Sequence, residues 1–331
     1  MRDAKRLTLL HKVALLFYRE GKTKDEISKI IGKTSTTVKN LLNEAEDEGI
    51  VNITINRPRL QVMQEQLRSH FHHLRDVIVI PHEADVSVLL KNLGEAAAEY
   101  FEDKVTTGAR IALGGGYLMY EMISMLPARL RDIHILPAAI IGRGPTIAHI
   151  DPMILVTLLW AKSGRLQERA HYVTVTPFDG PGMHREVRRH YLELLKRSKV
   201  RELFDEMKQV DWLFASIGGL NPDPAYVSAI HSSTRNLMYE LKFKDNELRQ
   251  EGVVGDLAYS FFDADGNPKP TLDVAGSLGI KQLRQMAADP SKGVVVVVGG
   301  YKMQALRAVL RGELCNVLIT DARAAEGLLS K

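Results

Sequence analysis

The chain has 331 residues, 45% of them hydrophobic, with 44 Lys/Arg against 40 Asp/Glu and a single cysteine. That length holds two or three domains, while one cysteine excludes an internal disulfide and any multi-cysteine metal centre. No run nears the ~18 apolar residues of a membrane helix, and the start has no charged-then-apolar leader, so a soluble, cytoplasmic protein is expected. The net charge of +4 is unevenly placed: residues 1–60 carry 12 Lys/Arg and 8 Asp/Glu, and the remainder carries 32 of each. The positive excess therefore lies at the N-terminal end, where phosphate contacts would use it.

In chain order, residues 7–19 read as a first helix, with Leu9, Leu10, Val13, Leu16 and Phe17 as its apolar stripe. Thr23 and Glu26 form a capping box at the start of a short second helix. Ile27, Ile30 and Ile31 give that helix a buried face, and Gly32 can end it in the left-handed conformation. Thr34 or Ser35 caps a third helix, with Val38, Leu41 and Leu42 inward and Gly49 closing it. Two short helices joined by a tight Gly turn are the helix-turn-helix signature, whose second helix enters the DNA major groove. Lys33, Thr34, Ser35, Thr36, Lys39 and Asn40 are the candidate contacts to phosphates and bases. The plainer alternative is a three-helix bundle with a solvated polar face.

Val51, Ile53 and Ile55 alternate with polar residues, as a small wing strand would, before Arg57-Pro58 breaks the pattern. A helix over 60–74 follows, with Leu60, Met63, Leu67 and Phe71 on one side. It could serve as a linker or dimer contact, or pack on its own body. The expected organisation is a winged-type helix-turn-helix head (1–56), a linker helix (57–76) and a larger body (77–331). In that body, strands over 77–80, 110–113, 133–141, 172–176, 212–217, 294–298 and 317–320 alternate with helices over 86–105, 117–126, 152–163, 183–197 and 302–311. Short apolar strands separated by helices imply an α/β fold with a mostly parallel sheet covered on both faces. Ligands of such sheets bind beyond the carboxyl ends of the strands.

Three strand ends are marked by glycine. Gly114, Gly115 and Gly116 precede a helix opening at Tyr117, a turn that suits an anion or, equally, close packing. It is neither a dinucleotide fingerprint nor a Walker A loop. Gly142-Arg143-Gly144 could grip a phosphate bidentately through Arg143. Gly299-Gly300-Tyr301-Lys302 places a lysine at a helix start, where an anion would offset the macrodipole; the alternative is a freely solvated side chain. Asp263-Ala264-Asp265-Gly266-Asn267 misplaces the glycine and final acid of a calcium loop and reads as a turn. His70, His72 and His73 have no further ligand nearby, so no metal site and no cofactor are expected.

Taken together, TKDEISKIIGKTSTTVKNLLNEAEDEGIVNITI, LGEAAAEYF, IALGGGYLMYEMISMLP, EGVVGDLAYSFFDADGNP and VVVVVGGYKMQALRAVLRGELCNVLITD resemble the SorC family of bacterial transcriptional regulators. The resemblance covers essentially the whole chain. It implies a body similar in fold to sugar-phosphate isomerases, a sugar or sugar-phosphate effector, and a homodimer or homotetramer on double-stranded operator DNA, with no membrane partner. By position, it places Gly114 to Gly116, the Gly255-Asp256 pair and Lys302 in an effector pocket. Asp256 would accept from sugar hydroxyls, Lys302 would meet a phosphate or carbonyl, and Asp151 would stand where the family often has Asn. This chain departs in having Tyr117 and Leu118 after the glycine loop, where Ser or Thr is usual. It also has Lys39-Asn40 for a common Ser-Arg pair, and one residue fewer between the two glycines and Lys302. The competing reading is a sugar-phosphate isomerase or aldolase-like enzyme with Lys302 as Schiff base. No His or carboxylate motif accompanies that lysine in the sequence, so a non-enzyme is expected.

Overall fold

A computed structural model describes residues 2–51, 60–127, 130, 132–139, 151–163, 193, 196, 198–220, 245–269 and 276–330. The chain divides into two compact units, Met1–Arg57 and Pro58–Lys331. The expected strand over 172–176, Arg143 with its flanking glycines, nearly all of the expected helix over 183–197 and the wing beyond Val51 lie outside the described residues.

The first unit is built from α1 (Arg2–Ala14), a single wider π turn (Leu15–Arg19), α2 (Lys24–Ile31) and α3 (Ser35–Asp47). Leu10, Val13, Leu16, Ile27, Val38, Leu41, Leu42 and Ala45 form its core. The capping box is present: Glu26 N–H donates to Thr23 Oγ1 at 3.3 Å and Thr23 N–H to Glu26 Oε2 at 2.8 Å. Those bonds favour the carboxylate and lower the Glu26 pKa. Gly32, at φ 65°, ends α2, and Gly49, at φ 70°, follows α3. The expected apolar face of α2 is narrower than its spacing predicts. Ile27 is fully buried, but Ile30 is 47% exposed. Ile31 is partly buried against the same core, so Ile30 alone of the three turns away from it. Arg6 grips the Glu44 carboxylate with two N–H groups, and the Tyr18 hydroxyl donates to Glu46 at 2.7 Å, so both fasten the first segment to α3.

The second unit is a three-layer α/β sandwich. Its strands are β1 (Asp76–Ile80), β2 (Arg110–Leu113), β3 (His134–Pro137), β4 (Trp212–Gly219), β5 (Val253–Leu257), β6 (Ser260–Asp263), β7 (Gly293–Val298) and β8 (Val317–Asp321). Six of them form a parallel sheet in the order β1-β8-β7-β4-β2-β3. Alternate residues feed opposite cores: Val294, Val296 and Val298 face one, Val295 and Val297 the other. Burial on both faces explains the unbroken apolar run of β7. Helices α5 (Val86–Lys104), α6 (Tyr117–Met125) and α7 (Pro152–Lys162) cover one face. Helices α8 (Ser198–Lys208), α10 (Ile280–Ala288), α11 (Met303–Arg311) and α12 (Ala322–Leu329) cover the other, and α9 (Asp245–Gln250) precedes β5.

The helix expected as a linker is α4 (Gln61–His70), and it packs into this body. Leu67 is fully buried, and Leu60, Met63 and Phe71 lie against the same core. Because β1 is an edge strand, its outward backbone groups need partners. Leu60 N–H donates to Val79 O at 3.1 Å, and Gln64 Oε1 accepts from Val79 N–H at 3.0 Å. The segment thus closes the sheet edge.

Two further differences from the sequence reading bear on the site. The third strand spans only His134–Pro137; Ala138 N–H still donates to Leu113 O at 2.9 Å, and Ala139 then bridges antiparallel to Ser277. Past Ser216, β4 leaves the parallel sheet and pairs antiparallel with β5, Ile217 opposite Leu257 and Gly218 opposite Asp256. β5 and β6 form a hairpin that the sequence reading did not contain. Asp263 Oδ1 accepts from the N–H groups of Asp265 and Asn267, the expected turn.

Candidate functional site

The order of strands places a topological switch at the centre of the sheet. From β2 the chain moves outward to β3 and then returns to β4 on the other side of β2. In open α/β sheets, ligands bind in the crevice outside the carboxyl ends at such a point. The glycine loop leaves β2 at this place. Gly114 N–H continues the ladder to Phe214 O at 2.8 Å. A Cβ on Gly114 would lie 2.9 Å from the Ala215 Cβ, so this glycine answers a packing demand. Gly116, at φ 112°, opens α6 without any side-chain cap, the arrangement that suits an anion at a helix start. Tyr117 is half-buried and packs against the α5–α6 core.

Lys302 closes the 3-10 turn Gly300–Lys302 after β7 and is only 5% exposed. The solvated alternative for this residue is therefore excluded. Its ammonium donates to the Ile217 carbonyl, at the point where β4 leaves the sheet. Burial lowers its pKa to about 8, against an opposing pull from the Asp256 carboxylate. Its Nζ also lies 5.5 Å from the Tyr301 ring centroid, a cation–π distance. Asp256 is itself buried and sits beside Gly218, the residue after Ile217.

The β5–β6 turn explains how Asp256 is held. Its two central residues, Ala258 at φ 48° and Tyr259 at φ 64°, occupy the left-handed region that Asn-Gly normally fills in a two-residue hairpin. Such residues cost of order 1–3 kcal/mol each. Asp256 Oδ2 accepts the Tyr259 N–H at 3.1 Å and offsets part of that strain. Gly255 is equally constrained: a Cβ there would meet Gly218 O at 2.3 Å.

The sequence reading missed the residue that anchors the lysine turn. Asp321, at the end of β8, is fully buried. Its Oδ1 accepts from Gly300 N–H at 3.1 Å and from Ala324 N–H at 2.9 Å, and its Oδ2 meets His82 Nδ1 at 2.8 Å. One carboxylate thereby joins the carboxyl ends of β1, β8 and β7. The signal for Asp321 was an acid directly before a helical pattern; His82, after β1, had none.

Not every expected pocket residue joins this cluster. Asp151 caps α7, accepting from Met153 N–H at 2.8 Å. That bond gives it a local role, and Arg143 lies outside the described residues. A hollow of about 500 Å³ is lined by Gly300 and Tyr301 together with Gln304, Arg323 and Glu326. It does not include Asp256 or the glycine loop, so the buried Lys302–Asp256 pair marks the site better than this hollow does.

In the head, Lys33, Thr36, Lys39 and Asn40 are exposed. Thr34 is the cap of α3: its Oγ1 accepts from Thr37 N–H at 3.1 Å. The Ser35 hydroxyl donates to the Asp25 carboxylate of α2. Thr34 and Ser35, expected among the DNA contacts, thus have their hydroxyls engaged within the head.

Comparison with known proteins agrees with this architecture. Residues 59–330 match the Sugar-bind family, described as "Putative sugar-binding domain". The sorbitol operon regulator of Klebsiella pneumoniae is 23% identical over 333 residues, spanning 99% of this chain and all of that protein. The deoxyribonucleoside regulator of Bacillus subtilis is 22% identical over 335 residues and 99% of both chains. The crystal structure of full-length SorC from Klebsiella pneumoniae superposes with a TM-score of 0.72 at 20% identity, covering 98% of each chain. The chain belongs to the sugar-binding domain family, that of the SorC-type bacterial transcriptional regulators.

Proposed function

We propose that this chain is a transcriptional regulator that binds double-stranded operator DNA through α2 and α3 and an anionic sugar, most simply a phosphorylated one, through its body. The observation that carries the effector half is the buried Lys302 ammonium beside Asp256 at the central carboxyl ends of the sheet. A cation for the phosphate, an acceptor for hydroxyls and an uncapped helix start at Gly116 form a complementary set. Arg143 and Asp151 belong to the same reading, as a second phosphate ligand and a polar contact. The head half rests on the capped α2–Gly32–α3 turn and an exposed polar α3 face with Lys33 and Lys39 beside it. One such head has too little surface for a specific site, so a homodimer or homotetramer on repeated half-sites is expected.

A lysine lowered to about 8 also fits Schiff-base chemistry. The names of the relatives speak for regulation, and the reading adopted is that of a non-enzyme. Calorimetry with a panel of sugars and sugar phosphates tests it. A phosphosugar should bind best, and Lys302→Ala should weaken it about tenfold or more. A neutral sugar binding best, or turnover of a sugar phosphate, would overturn it.

A further inference from the structure

We infer that bases are read by three side chains on one face of α3, Thr36, Asn40 and Asn43, and that Asn40 and Asn43 read neighbouring A·T pairs. This rests on the proposal that the head binds DNA. The polar side chains of α3 fall into two groups. Thr34, Ser35 and Thr37 use their hydroxyls to cap the helix or tie it to α2. Glu44 and Glu46 are held by Arg6 and Tyr18 of the first segment. Thr36, Lys39, Asn40 and Asn43 are exposed, and none of their side chains has a hydrogen-bond partner among the described residues. At 100° per residue, 36, 40 and 43 fall within one narrow stripe, with Lys39 on its flank.

Charge sets how much of that stripe meets DNA. Lys33 and Lys39 flank its first two turns, and the last turn carries Glu46, Asp47 and Glu48 with no basic residue. Acids at a helix C-terminus oppose the macrodipole and repel phosphates. They direct the N-terminal half of α3 into the groove and leave Asn43 as the last residue able to reach a base.

The chemistry of the two amides names the bases. A carboxamide presents a donor and an acceptor together, the complement of adenine N7 and N6–H₂ in the major groove. Three residues advance about 4.5 Å along a helix, close to the ~3.4 Å step between base pairs. Asn40 and Asn43 therefore address successive steps, and the Thr36 methyl can rest against a thymine methyl.

The test is selection by the full-length chain from duplexes with a randomised core. Wild type should enrich half-sites holding two adjacent A·T pairs. Asn40→Ala and Asn43→Ala should each relax one of those two positions and weaken the selected duplex about tenfold. Binding to random duplex should not change. Ser35→Ala should leave the preference intact. If Asn43→Ala keeps the wild-type preference while Asn40→Ala alters it, the three-residue reading is wrong and the DNA-binding head survives. An altered preference for Ser35→Ala would also overturn it. If wild type enriches nothing, the DNA-binding reading itself fails.

Discussion

The two units handle polar groups in opposite ways. In the head, the side chains assigned to DNA are exposed and have no partner among the described residues, on a helix whose caps and ties are satisfied by other residues. In the body, the charged groups of the candidate site are buried and already bonded: Lys302 to Ile217 O, Asp256 to Tyr259 N–H, and the anchoring Asp321 to Gly300, Ala324 and His82. A surface for phosphates must be wet, basic and unencumbered when it is free, because its affinity comes from displacing counterions. A pocket that tells one small ligand from another needs its donors and acceptors fixed in advance. The same residue types therefore carry different energetic weight in the two units, and substitutions separate them.

The largest effect is expected at Asp321. Replacement by Ala leaves the buried N–H groups of Gly300 and Ala324 without an acceptor, at about 1–3 kcal/mol each. Asp321→Ala should lower the stability of the body by about 3 kcal/mol or more in a urea titration and weaken effector binding through the displaced lysine turn. Asp321→Asn keeps one carbonyl acceptor and should lose less. If the alanine variant unfolds like wild type, the buried brace is not what holds the turn.

Lys302 gives the next largest effect and has a definite sign with pH. Its folded pKa, about 8, lies below the ordinary 10.5. Between those values the unfolded chain binds more protons, so stability rises with pH there. The penalty is fully present below pH 8 and gone above about 10.5, and its size is about 3 kcal/mol. Lys302→Met should lack this rise, so the stability difference between variant and wild type should change across that window. An identical slope in both proteins would show that the ammonium is not buried in solution.

What could be read from sequence follows the range of the contacts. The head was legible because its determinants are local: Thr23 with Glu26, Gly32, and the spacing of Val38, Leu41 and Leu42 act within one or two turns. Lys302 and the glycine loop after β2 were legible as chain punctuation at strand ends. The partners that define the site were not. Ile217, Asp321 and His82 reach it from distant parts of the chain, and spacing alone cannot reveal such pairings. The β5–β6 hairpin escaped because Ala258-Tyr259 supplies none of the Asn-Gly signal that its turn geometry normally needs. Ile30 failed for the converse reason: its spacing is helical, but no partner covers it.

On the head, Lys39 should show an effect that depends on conditions. It is exposed and flanks the proposed reading stripe. If it meets a phosphate, Lys39→Ala should weaken selected and random duplexes alike and reduce the salt slope by about one charge. A loss confined to the selected duplex would make it a base contact.

The smallest effect is expected at Thr34, and it separates support from recognition. Its hydroxyl accepts the Thr37 N–H at 3.1 Å and is 2.9 Å from the Thr37 hydroxyl. Losing a threonine cap costs typically ~1 kcal/mol, so Thr34→Ala should destabilise the head by about that amount, and Thr34→Ser should restore it. The body should be untouched, since the two form separate compact units. DNA affinity should fall only as far as the loss of folded head requires, with the preferred sequence unchanged. A shift in base preference for Thr34→Ala, at temperatures where the head remains folded, would return Thr34 to the reading surface and break the division between supporting and reading residues on α3.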